Sequence, residues 1–249
     1  MDLAIAAFAL APGLCLGSFL NVVAARVPVH RSIVSPGSAC MSCGHEIAWY
    51  DNVPLVSWLV LRGRCRSCSE RIPARYPLVE LVTALLVAGC VWKFGVTAEA
   101  ALAAFFCLVL VAVSATDVEY GIIPDKITFP AIVIVLGTNT ALHPSPEWVL
   151  AALGASGFLF AAALAYPAGM GIGDVKLAFL MGAMLGRTVP VALMSGMLAA
   201  LVPSIVLFAR HDRTARKMKI KFGPFLAIGA VVALFAGPAL MSAYWGLSH

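Results

Sequence analysis

Three groups of residues in this chain could do chemistry, and all are carboxylates or thiols at short, fixed spacing. Asp117 and Asp125 bracket Asp117-Val118-Glu119-Tyr120-Gly121-Ile122-Ile123-Pro124-Asp125, and Asp174 closes Gly171-Ile172-Gly173-Asp174. Asp117 and Asp174 each stand where a long apolar run meets an end, a setting in which an ionisable residue marks function. Two carboxyls brought together from different helices can share one proton, because like charges that close do not both ionise. Such a pair can activate water for peptide hydrolysis. The third group is Cys40-Met41-Ser42-Cys43 with Cys65-Arg66-Ser67-Cys68, two Cys-x-x-Cys pairs with 21 residues between them. Two such pairs supply the four thiolates of a closed, tetrahedral, structural zinc site, although the gap slightly exceeds the usual ~15–20 residues. Gly44 would ease the turn around a metal. His30 and His45 are nearby in sequence, but four cysteines leave them unneeded.

The elements that must position these groups are membrane helices. The 249 residues are 61% hydrophobic and 12% charged, with a mean hydropathy of +0.95. A soluble domain averages nearer ~45–50% apolar and ~25% charged. The composition therefore implies an all-α polytopic membrane protein. Eight apolar runs, roughly 3–25, 78–94, 98–116, 127–142, 147–167, 175–187, 189–208 and 225–245, approach the ~20 residues that cross a bilayer. No basic segment precedes the first run, so no signal peptide is expected.

Charge orients the spans. Segments 26–77, 117–126, 168–176 and 209–224 hold 15 of the 17 Lys and Arg, and only Lys93 and Arg187 fall elsewhere. That asymmetry places these segments in the cytoplasm and both termini outside. It also puts Asp117 and Asp174 on one face, and a reducing cytoplasm disfavours disulfides among the loop cysteines. The net charge of +5 and pI near 8.9 then belong to topology, not to nucleic-acid binding. Three regions follow: a first span at 1–27, a cytoplasmic four-cysteine, zinc-ribbon-like loop domain at 28–77, and a membrane core at 78–249. No internal repeat is visible.

Simpler roles are available for several residues. Gly17 and Ser18 allow close helix packing, and Asn21 can hydrogen-bond to a neighbouring span. Glu80, close behind Pro77, suits a positive helix terminus with Arg75 as partner. Asp125 and Asp174 each fit as a helix N-cap. Lys176 reads as a cytoplasmic anchor, and Arg210 to Lys221 as a topology determinant at the lipid surface. Cys15, Cys90 and Cys107, alone in spans, read as small core residues.

Six blocks taken in order resemble the type IV prepilin peptidases. They are Gly17-Ser18-Phe19-Leu20-Asn21-Val22-Val23 with Arg26-Val27-Pro28, the paired Cys-x-x-Cys, Arg75-Tyr76-Pro77-Leu78-Val79-Glu80-Leu81, Asp117 through Asp125, Gly171 through Asp174, and Lys221-Phe222-Gly223-Pro224-Phe225. The Gly-x-Gly-Asp block is also similar to that of intramembrane aspartyl proteases. The resemblance implies catalytic Asp117 and Asp174, with Gly171, Gly173, Lys176, Asp125 and Glu80 as supporting motif residues. It implies cleavage of a short basic leader from type IV prepilins and type II secretion pseudopilins, after a glycine, at the cytoplasmic face of the bacterial plasma membrane. Methylation of the new N-terminal amine, commonly phenylalanine, from S-adenosylmethionine is implied as well. No Gly-x-Gly-x-x-Gly loop places that cofactor. Two other classes compete: a transporter or channel relaying protons or cations through the aspartates, and a membrane scaffold with a zinc module. Carboxylates at the membrane edge argue against the first, and an unexplained aspartate pair against the second.

Overall fold

The computed structural model describes residues 3–165, 170–211 and 221–247. The chain divides into two compact units, Met1–Ala115 and Thr116–His249. Tyr166, Pro167 and Gly169, and the basic cluster from Asp212 to Ile220, lie outside the described residues.

In the first unit, α1 (Leu3–Phe8) and α2 (Leu10–Arg26) precede the cysteine loop, which carries the short α3 (Val56–Val60). Next come α4 (Arg75–Phe94) and α5 (Ala98–Tyr120), whose last turn belongs to the second unit. Helix α2 packs along α4 through two glycines. A Cβ on Gly13 would stand 2.7 Å from the Ala84 Cα, and one on Gly17 2.6 Å from the Glu80 Cα. Small residues four apart let two backbones touch where no water is available to drive association. As expected, Asn21 bonds to a neighbouring helix, its Nδ2 donating to the Tyr76 carbonyl at 3.1 Å. Cys90 and Cys107 are core residues, but they are not alone, since their sulfurs lie 3.9 Å apart. Cys15 is exposed on α2, because the packed face of that helix belongs to Gly13 and Gly17.

The second unit holds α6 (Asp125–Leu142), α7 (Glu147–Ala165), α8 (Ile172–Leu185), α9 (Val189–His211) and α10 (Gly223–Leu247). Helix α8 is its centre: α7 lies along it, α6 and α10 also touch it, and Leu177, Ala178, Leu180, Met181 and Ala183 are fully buried. Gly182 permits the α7 contact, because a Cβ there would stand 2.5 Å from the Ala152 Cα. Asn139 of α6 donates to the Ala183 carbonyl at 2.8 Å. Helix α8 stops at Gly186, whose φ of +53° ends the run, and Arg187 then donates to Glu147 from its backbone at 2.9 Å and its Nε at 3.0 Å.

Among the described residues, seven of the eight apolar runs fall on one helix each, and the first, 3–25, covers both α1 and α2. Six stretches of the described residues are long and apolar enough to cross a membrane; one, Ile172–Ile205, contains most of α9 together with α8, and α6 is not among the six. Among the described residues there is no strand, only two isolated bridges, Ala39 with Glu46 and Arg64 with Arg71.

Candidate active site and metal centre

Asp117 sits in the last turn of α5. That helix closes at Gly121, whose φ of +68° lets its N–H return to the Asp117 carbonyl at 2.8 Å. The side chain is buried, and its Oδ2 accepts the Gly223 N–H at 3.0 Å. Gly223 opens α10, and a Cβ there would stand 2.8 Å from the same oxygen. Only glycine brings its amide to that carboxyl. Lys221, two residues earlier, donates to the carbonyl of Val118. A carboxylate at the negative end of a helix is disfavoured, and this amide and ammonium offset that.

Asp174 is the third residue of α8, buried, with its Oδ2 accepting the Gly171 N–H at 3.1 Å. It is therefore not the N-cap. Gly171 holds that position, and the aspartate reaches back to it in the carboxylate half of a capping box. The N-terminus of α8 stabilises negative charge there. Both carboxyls lie in the second unit, one on the last turn of α5 and the other on the first turn of α8. Their motifs also interlock, since a Cβ on Gly173 would stand 2.9 Å from the Ile123 Cβ. The two glycines of Gly-x-Gly-Asp thus act differently. Gly171 offers an amide to the carboxylate, and Gly173 admits the neighbouring motif.

Asp125 is not an N-cap either. Pro124 occupies that place, and Asp125 instead accepts from Lys176 Nζ at 2.6 Å, joining α6 to α8. The same ammonium lies 5.1 Å from the centre of the Phe129 ring. Lys176 is a strut between helices rather than a simple anchor.

Glu80 also departs from expectation. It lies in the second turn of α4, buried, and its Oε2 accepts the Leu55 N–H at 2.8 Å. Leu55 has φ +58°, a left-handed conformation that costs a non-glycine residue energy. Glu80 holds this turn, from which α3 starts. Arg75 donates to the Tyr76 hydroxyl at 3.1 Å and stacks on its ring.

The four thiols of Cys40, Cys43, Cys65 and Cys68 converge, all four sulfurs lying within 4.8 Å of one another, with no histidine among them. An internal repeat, unseen in the sequence, builds the cluster. Cys40 N–H donates to His45 O at 2.9 Å and Gly44 N–H to Cys40 O at 2.9 Å. Cys65 N–H donates to Glu70 O at 2.8 Å and Ser69 N–H to Cys65 O at 3.0 Å. Each turn needs a positive φ, +70° at Gly44 and +58° at Ser69, and each ends in one of the two isolated bridges. Cys40 and Cys68 are 3.8 Å apart at sulfur. Four sulfurs at ~2.3 Å from one tetrahedral ion stand about 3.8 Å from each other, whereas a disulfide requires ~2.05 Å. The amides of Cys43 and then Ser42 hold the Cys40 thiol down to about 6, which readies it as a thiolate ligand. The residues fit a metal ion.

Sequence reasoning quoted Gly223, Lys221 and Ile123 inside motif blocks but gave none of them a part in holding the carboxyl ends, which is where the structure puts them. Their signal was the Lys221 to Phe225 block, whose glycine had no stated purpose.

Comparison with known proteins covers both units. A model of the bacterial peptidase A24 N-terminal domain matches residues 12–94, and one of the type IV leader peptidase family matches residues 104–208. A prepilin leader peptidase/N-methyltransferase of Myxococcus xanthus is 40% identical over 82% of this chain, which spans 64% of that relative. Relatives with the same description in Burkholderia pseudomallei and Bacillus subtilis are 36% and 34% identical over 93% of this chain, covering 85% and 94% of their own lengths. No solved structure matches the chain.

Proposed function

The chain belongs to the type IV leader peptidase family, and from that premise we propose that Asp117 and Asp174 are its catalytic dyad. The activity is removal of the leader from type IV prepilins, together with N-methylation of the mature end. Pseudopilins are substrates of the same chemistry. The observation that carries this reading is the pair of buried carboxyls, each pinned through one oxygen by a backbone amide at a helix end.

The mechanism follows from that geometry. The dyad shares one proton and titrates as a unit. Its ionised member takes a proton from water, and its protonated member gives one to the scissile carbonyl or the leaving amine. Gly223 and Gly171 fix one oxygen of each carboxyl, so the opposing oxygens keep their orientation through the proton exchange. The substrate is an apolar helix in the bilayer, and its cut site meets the dyad at the cytoplasmic surface. Lys176 with Asp125, and Ile123 with Gly173, hold α8 at its working depth. Residues 28–77 form a module whose four cysteines bind one zinc ion, which supplies a closed structural centre rather than a reaction step. S-adenosylmethionine supplies the methyl group when bound.

The transporter reading gains nothing here, because both carboxyls sit at helix ends and not mid-span. The test is direct. Protein purified in detergent, mixed with a prepilin bearing a basic leader, should release a shortened product. With S-adenosylmethionine present, mass spectrometry should find one added methyl on the new N-terminal residue. An intact prepilin with correctly inserted protein would overturn the peptidase reading. A cysteine placed at Glu119 should label only from the cytoplasm and one at Ser145 only from outside; the reverse would overturn the orientation.

A further inference from the structure

The dyad and the thiols leave one charged feature of the first unit unused, a recess of about 370 Å³ beside α4. Trp58, Gly63, Ile72, Pro73 and Ala74 line it with Arg62, Arg64 and Arg71, all three exposed and the only charged side chains in its wall. Arg66, by contrast, is spent on Asp51, at 2.6 Å. The recess is built rather than incidental. Trp58 Nε1 donates to the Ile72 carbonyl at 3.1 Å, and a Cβ on Gly63 would stand 2.9 Å from the Trp58 ring. Ring and backbone thereby fix part of the wall that the arginines share.

Two further observations say what enters it. Ile72, Pro73 and Ala74 run directly into Arg75, where a membrane-spanning helix begins, so the recess opens at the height of the headgroups. On α3, which carries Trp58, the side chains of Val56, Leu59 and Val60 are 54%, 66% and 70% exposed. Exposed apolar residues beside cations and a tryptophan suit a helix lying in a lipid interface. We propose that Arg62, Arg64 and Arg71 bind the phosphate of an anionic phospholipid headgroup and seat the cysteine module on the bilayer. Guanidinium groups match phosphate oxygens through paired N–H donors. S-adenosylmethionine fits poorly, because its sulfonium and ammonium are cations facing three more.

Neither the dyad nor the metal enters this inference. Full-length protein in mild detergent, titrated with phosphatidylglycerol or phosphatidylcholine, is read by native mass spectrometry. Wild-type protein should retain phosphatidylglycerol in preference to phosphatidylcholine. Arg62→Gln with Arg64→Gln and Arg71→Gln should weaken that binding about a hundredfold, at roughly a factor of five for each surface cation. The corresponding three lysine substitutions, which keep the charge but lose the paired donors, should fall between wild type and the glutamine variant, and metal content equal to wild type in all forms shows that the module stays folded. Equal retention of phosphatidylglycerol by wild type and the glutamine variant overturns the proposal. So does displacement of the lipid by millimolar inorganic phosphate, which would make the recess a free-phosphate site.

Discussion

The two chemical centres of this molecule are held by opposite means. Asp117 and Asp174 stand at the ends of membrane helices, and each is fixed by a single amide that a glycine delivers. Asp174 takes its position from the packing of α8 against α6, α7 and α10, and Asp117 is tied to the start of α10. The four thiols stand on two short turns whose surroundings are almost all exposed. Between residues 28 and 74 only Ser57 and Gly63 are buried. So small a core does not hold a fold by itself, and metal ligation becomes folding energy. One centre is held by helices, and the other has the ligand set for a metal ion to hold it.

The hardest blow to this contrast falls on the dyad. Asp117→Asn and Asp174→Asn should each lower leader cleavage by about a thousandfold or more with the protein still inserted, and the double variant should be no worse, because members of a unit are not additive. Rapid cleavage by either single variant would remove the helix-held centre altogether. Gly223→Ala should come next. Its methyl would press on the Asp117 carboxyl, and a 1 Å displacement at a reacting centre can cost on the order of a hundredfold. Wild-type kcat in that variant would show that the amide does not orient the carboxyl.

Cys40→Ser with Cys43→Ser separates the two centres. Metal analysis should fall from about one zinc per chain to none, and amide exchange across the module should rise to that of unfolded chain. Cleavage should suffer much less than methylation. Equal loss of both activities would mean that the centres are not independently built. Glu80→Leu leaves the Leu55 amide without its acceptor and should loosen the α3 turn by about 1–3 kcal/mol, read as faster exchange at residues 55–58 with cleavage retained. The smallest effect belongs to Asp125→Asn. Its pair with Lys176 is more than half exposed on the carboxylate side, which limits it to about 1 kcal/mol or less. A double-mutant cycle with Lys176→Met measures it, and a large coupling would place the pair in the active site.

What was legible in the sequence was whatever lay close together along the chain. Apolar runs gave the helices, since hydrocarbon requires each span to satisfy its own backbone. The cysteine pairs and the aspartate motifs were local patterns too. Illegible were the partners brought in by packing. Gly223 reaches Asp117 across 106 positions, and Lys176 reaches Asp125 across 51. Local rules assigned Asp125 and Asp174 to caps and Glu80 to a helix dipole. Tertiary contacts with Lys176 and Leu55 took precedence for Asp125 and Glu80, and for Asp174 a local capping box on the Gly171 amide. The repeat in the cysteine loop escaped notice because its signature is a hydrogen-bond pattern, which Gly44 and Ser69 satisfy with different side chains.

The shortness of α8 carries a last consequence. Its 14 residues rise about 21 Å, against the ~30 Å of hydrocarbon in an average bilayer. If Gly186 lies level with one edge of the hydrocarbon, Asp174 stops about 12 Å short of the other. Lipid must thin or water must descend to meet it, and both expose a buried substrate helix without unwinding it from outside. The acyl-chain length of the surrounding lipid then sets how far water must travel. Cleavage becomes sensitive to hydrophobic thickness, faster in short-chain bilayers than in long-chain ones.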